Sequence, residues 1–460
     1  MAKFLCLCIC VLSGLPWGRL LGEEYYFRVY LKDKGRGGYC IEQPEKFLSE
    51  EALQRRRQRG IAITESDLPI DNRYIEALEQ TGGRKVVQSR WMSTVVIALT
   101  DSLQVDRLKA LPMVDSVKWV WKGERESRCL EEESSEAPLV PAKPCLKNPY
   151  GYAQKQIAML NGIKLHKAGF MGTDMRVAII DAGFNQADRM QVFDSLQLLG
   201  TYNVVFPGSS VFQGDDHGTK VLSCLAAYAP GLMIGTAPKA SYWLIKSEDS
   251  QYEYPVEEDY WTAAVEFADS VGVEVISSSL GYFKFDAAWL SYRQTDLDGQ
   301  TALISQVARI AADKGLLLFC SAGNEGNSSW GKITFPADAS GIVSVGSVTD
   351  SRKRSSFSSL GWTVDERVKP DMVAMGTGCC VMGPDGDIDY ANGTSFATPV
   401  LAGLGICLWQ ALPQLTNQEL IALMQQYSHR YKHPDKELGY GIPNVYKLYK
   451  KQKRYAEDSQ

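Results

Sequence analysis

The sequence predicts an α/β protein whose main domain is a parallel sheet flanked by helices on both faces, preceded by a small α+β domain. Between residues 150 and 450, short apolar runs alternate with longer helix-like runs, which is the pattern of parallel strands connected by helices. The strand-like runs cover 176–180, 242–245, 273–277, 316–320 and 342–348, and the helix-like runs cover 220–228, 256–270 and 301–314. In such a fold the active crevice is expected outside the carboxyl ends of the strands.

A smaller unit is predicted over residues 23–123, where strand-like and helix-like runs are interleaved as in a small α+β sandwich. Its strands are expected at 25–31, 86–99 (one strand or two) and 114–121, and its helices at 47–59, 74–80 and 103–111. Residues 124–149 contain an acidic run and several prolines, which is typical of an exposed linker. We therefore divide the chain into this unit, the linker, a main domain over 150–450 and a polar tail over 451–460.

The overall composition is that of an ordinary globular protein. The 460 residues are 45% hydrophobic and carry a formal net charge of −5, which argues against a nucleic-acid partner. Residues 1–22 read as a signal peptide, because Lys3 precedes an uncharged apolar run that is too short to span a membrane. We expect a secreted or periplasmic monomer without a membrane span after cleavage. The run Arg55-Arg56-Arg57 is expected to form a solvated helix face.

The cysteines indicate neither a zinc site nor a dense disulfide framework. Cys6, Cys8 and Cys10 lie in the signal segment, and no pair in the chain has the CxxC spacing of a zinc site. Cys129 and Cys145 bracket a polar loop and form the most plausible disulfide. Three others lie in apolar runs and are expected to be small buried hydrophobic residues: Cys224, Cys320 and Cys407.

A candidate nucleophile lies in the segment 392–399, which reads NGTSFATP. Gly393 is expected to permit a backbone turn, and a buried helix is expected to begin at Ser395 and to tolerate Pro399 in its first turns. Backbone N–H groups and the positive end of the helix dipole would then lie near the Ser395 hydroxyl and could stabilise an oxyanion. The apolar run 396–412 reads as a core helix rather than a membrane span.

Three further residues complete a catalytic set. Asp181 and Asn324 each follow a predicted strand beside a glycine, and His217 precedes an apolar helix. Each residue alone has a common structural explanation as a turn, cap or surface residue. Together with Ser395 they supply a nucleophile, a base, an orienting carboxylate and an oxyanion donor, each at a predicted element end of one α/β unit.

The segments around these residues resemble those of the subtilases, the subtilisin-like serine endopeptidases. The matching segments are VAIIDAGF at Asp181, DDHGTKV at His217, GTAPKA at 235–240, SSSLGY at 277–282, SAGNEG at Asn324, KPDMVAMG at 369–376 and NGTSFATPV at Ser395. They span nearly all of residues 150–450 in the order of the family. The DAGF variant and the arginine-containing N-terminal helix resemble exported subtilases of the Bacteroidetes group.

The resemblance implies a role for each matching position. Ser395 is the expected nucleophile, His217 the general base and then acid, Asp181 the orienting carboxylate, and Asn324 the donor to the oxyanion. The family uses the segment that matches Ser279, Leu280 and Gly281 to pair with the substrate backbone and to form one wall of the specificity pocket, with Ala322 and Gly323 opposite. Two departures are Ala182, where a hydroxyl is frequent, and Tyr282, where a second small residue is frequent.

The resemblance also implies that residues 23–123 are a propeptide that inhibits the enzyme, and that the linker contains the maturation site. A permanent accessory domain remains an alternative. Bound calcium is common in the family, although no ligand set is evident here, and no other cofactor is expected. The expected partners are protein or peptide substrates. An inactive scaffold with a binding role is the alternative function, whereas the α/β-hydrolase class is disfavoured because no G-x-S-x-G motif is present.

The acidic residues between two strands expected to flank the cleft allow two explanations: Glu253, Glu257, Glu258 and Asp259. If they are exposed at the cleft, they favour basic side chains in the substrate. The better-supported explanation is the acidic first turn of a helix, because carboxylates stabilise a helix N-terminus.

Overall fold

A computed structural model describes residues 22–35, 37–124 and 137–458. The N-terminal part is a four-stranded antiparallel sheet with strand order β2-β3-β1-β4. Its strands are β1 (Glu24–Leu31), β2 (Arg84–Ser89), β3 (Thr94–Leu99) and β4 (Val114–Gly123), and its helices are α1 (Glu50–Arg59), α2 (Asn72–Glu79) and α3 (Val105–Lys109). The predicted α+β arrangement is confirmed, and the run 86–99 contains two strands.

The main domain contains a seven-stranded parallel sheet with strand order β13-β12-β11-β10-β5-β9-β6. Its strands are β5 (Arg176–Asp181), β6 (Gln197–Asn203), β9 (Ser241–Lys246), β10 (Val275–Ser278), β11 (Leu317–Ser321), β12 (Val343–Val348) and β13 (Met372–Met375). Two short ribbons pair β7 (Tyr228–Ala229) with β8 (Met233–Ile234) and β14 (Cys379–Met382) with β15 (Ile388–Ala391). The predicted fold class is confirmed, and the sequence missed only the two edge strands of the sheet, β6 and β13.

Eight helices accompany these strands within residues 137–458. They are α4 (Gln154–Met159), α5 (Gly162–Lys167), α6 (His217–Ala226), α7 (Val256–Ser270), α8 (Leu303–Asp313), α9 (Thr394–Ala411), α10 (Asn417–Gln426) and α11 (Val445–Asp458). Of the described helices, only α9 is long and apolar enough to cross a membrane, but 89% of it is buried inside the protein. The prediction of a core helix is therefore confirmed. Helix α11 continues through most of the predicted polar tail.

The sheet is buried on both faces because successive side chains of a strand point in opposite directions. On β5, Val177 and Ile179 belong to a core that also contains α6 and α9, whereas Ala178 and Ile180 belong to a second core with α7 and α8. One face of the N-terminal sheet extends this second core through Tyr26, Trp91, Trp121 and neighbouring residues. The N-terminal domain is thus packed on α7 and α8, and its other sheet face has a separate small core.

The expectation of a solvated arginine face on α1 is wrong for two of the three arginines. Arg55 and Arg56 are 4% and 1% exposed, and both guanidinium groups bind the Asp269 carboxylate on α7, Arg56 at 2.7 Å. Arg56 also binds Asp67 at 3.1 Å, and only Arg57 is exposed as expected. The buried carboxylates compensate the buried charges, which explains why these arginines can leave water.

The burial of three cysteines agrees with the prediction from the sequence. Cys224, Cys320 and Cys407 are completely buried, as predicted. Burial raises the pKa of Cys320 and that of Cys407, which keeps both thiols neutral. Cys145 is exposed, while its proposed partner Cys129 lies outside the described residues, so this pairing stays a prediction.

Candidate active site

The four candidate catalytic residues meet at one edge of the parallel sheet. Asp181 is the last residue of β5, and Asn324 follows β11 by three residues. Strand β10 lies between β5 and β11 in the sheet and ends one residue before Ser279. The carboxyl ends of three adjacent parallel strands therefore form one crevice, and α6 and α9 place His217 and Ser395 there through their first turns.

Asp181 and His217 form a close charge-assisted pair. The His217 Nδ1 and Asp181 Oδ1 atoms are 2.6 Å apart, and Asp181 is completely buried. The same oxygen accepts the backbone N–H of Ala182 at 2.9 Å. Among the described residues, no donor reaches the other carboxylate oxygen, Oδ2. This orphaned oxygen agrees with the sequence departure at Ala182, where a hydroxyl is absent.

The close approach of two turns requires a glycine beside His217. A Cβ atom on Gly218 would collide with the carbonyl oxygen of Gly183 and would lie 3.0 Å from the Asp181 Cβ. Gly218 thus allows the start of α6 to pack directly against the turn after β5. This contact brings the imidazole within hydrogen-bonding distance of the carboxylate.

The charge on His217 is controlled by neighbouring carboxylates. Burial opposes the imidazolium ion, but the charge and hydrogen bond of Asp181 together with the charges of Glu248 and Asp215 outweigh it and raise the pKa of His217 to about 9. The pKa of Glu248 is itself raised to about 7 by burial and by the charges of Asp181 and Asp215. The site therefore contains an acidic neighbour of the histidine that the sequence did not indicate, since Glu248 lies in a loop after β9 without a recognisable motif.

Ser395 is the second residue of α9 and is 7% exposed. Its hydroxyl donates to the Ser279 carbonyl oxygen at 3.3 Å, and the Ser279 hydroxyl donates to the Ser395 carbonyl oxygen at 2.7 Å. The two segments are thereby fixed to each other. The expected special turn at Gly393 is wrong, because its φ of 164° is extended backbone that any residue can adopt.

Among the described residues, no acceptor binds the amide nitrogen of Asn324. Its side-chain oxygen accepts from the Thr394 backbone N–H at 2.9 Å and from the Thr394 hydroxyl at 3.0 Å. Two donors on the oxygen fix the orientation of the amide group, so the NH₂ group points away from Thr394. Asn324 is exposed, although it lies one residue from the buried Gly323. The nitrogen can therefore reach a group bound beside Ser395.

The two predicted walls of the specificity pocket lie on either side of Thr334. A Cβ on Gly281 would collide with the Thr334 hydroxyl, and a Cβ on Gly323, whose φ is +98°, would lie 2.8 Å from the Thr334 methyl group. The Thr334 backbone N–H donates to the Ala322 carbonyl oxygen at 3.1 Å. Thr334 is a residue that sequence reasoning missed, because no local pattern distinguishes it; only the packing places it between the walls.

The other two residues of the first wall are buried. Leu280 is 6% exposed and Tyr282 is 1% exposed, and the backbone of Tyr282 pairs with Phe335 through N–H···O bonds of 2.9 and 3.0 Å. Burial and the charges of Glu248, Glu257 and Glu253 raise the pKa of Tyr282 well above its usual value. The Tyr282 ring therefore lies under the cleft, beside this acidic group.

The acidic residues around α7 are explained mainly by the helix itself. Glu257, Glu258 and Asp259 are in the first turn of α7 and are all buried, which confirms the interpretation as an acidic helix start. Glu253 is half-buried and precedes the helix. Burial and the charges of Glu248 and Asp286 raise the pKa of Glu253 to about 8.

Comparison with known proteins agrees with this geometry. The sequence model of the subtilase family, Peptidase S8, matches residues 172–441, and that of the Peptidase S8 propeptide domain of Bacteroidota matches residues 26–136. The chain is 28% identical to subtilisin NAT of Bacillus subtilis subsp. natto over 352 residues, which cover 75% of this chain and 78% of that protein. The same values hold for subtilisin E of Bacillus subtilis (strain 168). Subtilisin of Bacillus pumilus is 29% identical over 279 residues, covering 59% of this chain and 88% of the relative.

The chain belongs to the subtilase family and carries an N-terminal propeptide domain of the type found in Bacteroidota. It is a subtilisin-like serine endopeptidase. The predicted family is thus confirmed, and the propeptide match favours the propeptide interpretation over a permanent accessory domain.

Proposed function

We propose that this protein is an exported zymogen whose peptidase domain cleaves peptide bonds through Asp181, His217 and Ser395, with an acyl-enzyme intermediate. The observation that carries the proposal is the 2.6 Å contact between His217 and a completely buried Asp181, at the same sheet edge as Ser395. This contact holds the imidazole with Nδ1 toward the carboxylate, so that Nε2 remains to accept the proton of the serine.

The chemistry begins with a rotation of the Ser395 side chain. Its hydroxyl leaves the Ser279 carbonyl oxygen, donates to His217 Nε2 and attacks the substrate carbonyl carbon as the proton moves to the imidazole. The negative charge that develops on the carbonyl oxygen is bound by the Asn324 amide and by the backbone N–H of Ser395. The imidazolium then protonates the leaving amine, and water releases the acyl group by the same steps.

The first segment of the cleft, Ser279, Leu280 and Gly281, supports the binding of an extended peptide. Gly281 is exposed, and this segment follows β10 without a partner strand on its open side among the described residues. An extended substrate can add to this edge by backbone hydrogen bonds. Thr334, between this segment and Gly323, limits the depth of the pocket for the substrate side chain. Calcium remains a proposal without assigned ligands; no group of three or more candidate ligands occurs in the described parts of the chain.

The position of the N-terminal domain supports a role as inhibitor. The end of β4 lies against the loop after Glu248: between ring centroids, Trp121 is 5.9 Å from Tyr252 and Trp119 is 5.9 Å from Tyr254. The chain that leaves β4 at Glu124 therefore starts beside the cleft. Cleavage within 124–149, followed by removal of the domain, would open the site. A monomer suffices for this chemistry, since all four residues come from one chain.

Labelling with a fluorophosphonate tests the proposed nucleophile. The matured protein should be labelled, and Ser395→Ala should abolish both labelling and the appearance of a new N-terminus within residues 124–149 by mass spectrometry. A Ser209→Ala variant is the matched control, because it removes an exposed hydroxyl that binds none of the four candidate catalytic residues. If matured protein is not labelled, the chain is an inactive scaffold and the proposal is wrong.

A further inference from the structure

A groove lined by basic residues lies on the peptidase domain, away from the catalytic residues. Its main part has a volume of about 630 Å³ and is bounded by α5 and α11. A second part of about 390 Å³ continues from it toward Arg352. The two parts share the lining residues Asn161, Tyr427, Asn444 and Lys447 and therefore adjoin each other; we refer to both together as the groove. Volumes of this order are typical of sites for small ligands.

The groove has a strong positive charge on a protein whose net charge is −5. The basic residues that line it are Lys164, Arg352, His429, Lys447, Lys450, Lys451 and Arg454. None of the described lining residues is acidic, and none of the five lysine and arginine side chains in the main part forms an ion pair with a described carboxylate. Many basic side chains elsewhere in this protein are paired, as Lys155 is with Asp350 at 3.0 Å.

Helix α11 is held in a way that presents this charge outward. Val445 and Leu448 are completely buried in the main core, and Tyr449 packs on Phe170 with ring centroids 5.1 Å apart. The remaining face carries Lys447, the neighbours Lys450 and Lys451, and Arg454, so that cations recur every three to four residues, about one helical turn of 5.4 Å. The anchored face fixes the spacing of the cations.

The wall of the groove also contains neutral donors. The Asn444 side-chain oxygen accepts the backbone N–H of Lys447 at 3.0 Å, which leaves the amide nitrogen to donate to a ligand. Tyr427 and Tyr446 line the same cavity. Fixed amide and hydroxyl groups beside several cations are suited to oxygen-rich anions.

We propose that this groove binds a ligand that carries two or more phosphate groups. A phosphate group concentrates up to about two negative charges and three acceptor oxygens, so a compact polyphosphate can satisfy cations placed one helical turn apart. Peptide carboxylates place at most one charge on each residue of an extended chain and match this spacing less well. The ligand can be a free polyphosphate or a phosphorylated lipid headgroup, because both present the same chemistry.

The groove is separate from the proposed active site. Gly162 of α5 packs against Leu404 of α9, which lies nine residues after Ser395, or about 13.5 Å along the helix axis. Binding can therefore localise the enzyme, or attach it to a surface, while the cleft remains open. This inference does not depend on the catalytic roles proposed above.

The test uses full-length Ser395→Ala protein, so that self-cleavage cannot occur. Calorimetric titration with tripolyphosphate should show saturable binding that weakens as salt screens the charges. The triple variant Lys447→Gln, Lys450→Gln, Arg454→Gln should weaken binding by at least about tenfold, because three charge-assisted contacts to phosphate are lost together.

A matched variant removes the same charge elsewhere. Lys46→Gln, Lys85→Gln, Lys239→Gln replaces three exposed lysines outside the groove and should change binding less than about twofold. Sedimentation with vesicles that contain cardiolipin, whose headgroup carries two phosphate groups, compared with phosphatidylcholine vesicles, separates the two sources of phosphate. Vesicle binding that tripolyphosphate displaces supports a lipid headgroup, and tripolyphosphate binding alone supports a soluble ligand. Absence of saturable binding to both probes, or equal losses in the two triple variants, overturns the proposal.

Discussion

The contact between Arg28 and α7 gives a prediction whose magnitude follows from the structure. Arg28 on β1 is 1% exposed and binds both carboxylate oxygens of Asp259, each at 2.7 Å, and the Pro255 carbonyl oxygen at 2.8 Å. Replacing Arg28 by Met leaves a buried carboxylate without its counter-charge. Such losses cost about 3–5 kcal/mol, which corresponds to a factor of roughly 10²–10⁴ in the equilibrium between docked and undocked N-terminal domain.

Hydrogen–deuterium exchange on full-length Ser395→Ala protein measures this equilibrium. Backbone amides of α7, which the N-terminal domain covers, should exchange faster in Arg28→Met by that factor. Arg57→Met is the control, because Arg57 and its partner Glu50 are exposed and such pairs contribute about 0–1 kcal/mol.

The double variant Arg28→Met, Asp259→Leu should recover most of the protection, because replacing both members of a buried ion pair by apolar residues is often neutral. If Arg28→Met exchanges within about twofold of the parent protein, or if the double variant exchanges as fast as the single one, the ion pair does not hold the domains together.

Three further predictions concern the catalytic site. Glu248 helps to raise the pKa of His217 to about 9, and a general base must be neutral, so activity should rise as the pH approaches 9. Glu248→Gln should therefore move the acidic limb of the kcat/KM profile to lower pH. An unchanged acidic limb would contradict this coupling. Asn324→Ala should lower kcat by about 10²–10³-fold with little change in KM, which is the loss found when such a donor is removed from subtilisin. Asn324→Asp should be equally slow, because a carboxylate cannot donate a hydrogen bond to the oxyanion. Gly218→Ala should lower kcat, because the added methyl group would collide with Gly183 and displace His217 from Asp181. NMR should then show a lower pKa for His217, and a His217 pKa equal to that of the parent protein would contradict this reasoning.

The parts of the fold that the sequence predicted are those with local patterns. β5 and β11 each contain a continuous apolar run, and α9 is a long apolar run that follows a glycine. The edge strands were missed for physical reasons: β6 is mostly exposed and lacks an apolar run, while β13 is only four residues long. Strand pairing, and not composition, makes these segments part of the sheet.

The candidate site shows the same division. Asp181, His217, Asn324 and Ser395 were recognisable because each lies beside a glycine or at an element end within a matching segment. Glu248 and Thr334 were not recognisable, since they lie in loops without a neighbouring glycine or a predicted element end within a matching segment. They became visible only when the sheet order placed their loops beside His217 and the two pocket walls.

By itself, the sequence determined the α/β class and the subtilase family and supplied the proposed catalytic set, because these depend on local periodicity and short motifs. The tertiary structure alone decided which charges are buried and which are free. Arg55 and Arg56 bind Asp269 at sequence separations of 214 and 213 residues. In contrast, the groove cations of α11, Lys447, Lys450, Lys451 and Arg454, form no ion pair with a described carboxylate, although Lys453 on the same helix pairs with Glu457. The sequence gives the ionisable group of each side chain, but the dielectric surroundings and the counter-charge of that group come from segments that only folding brings together.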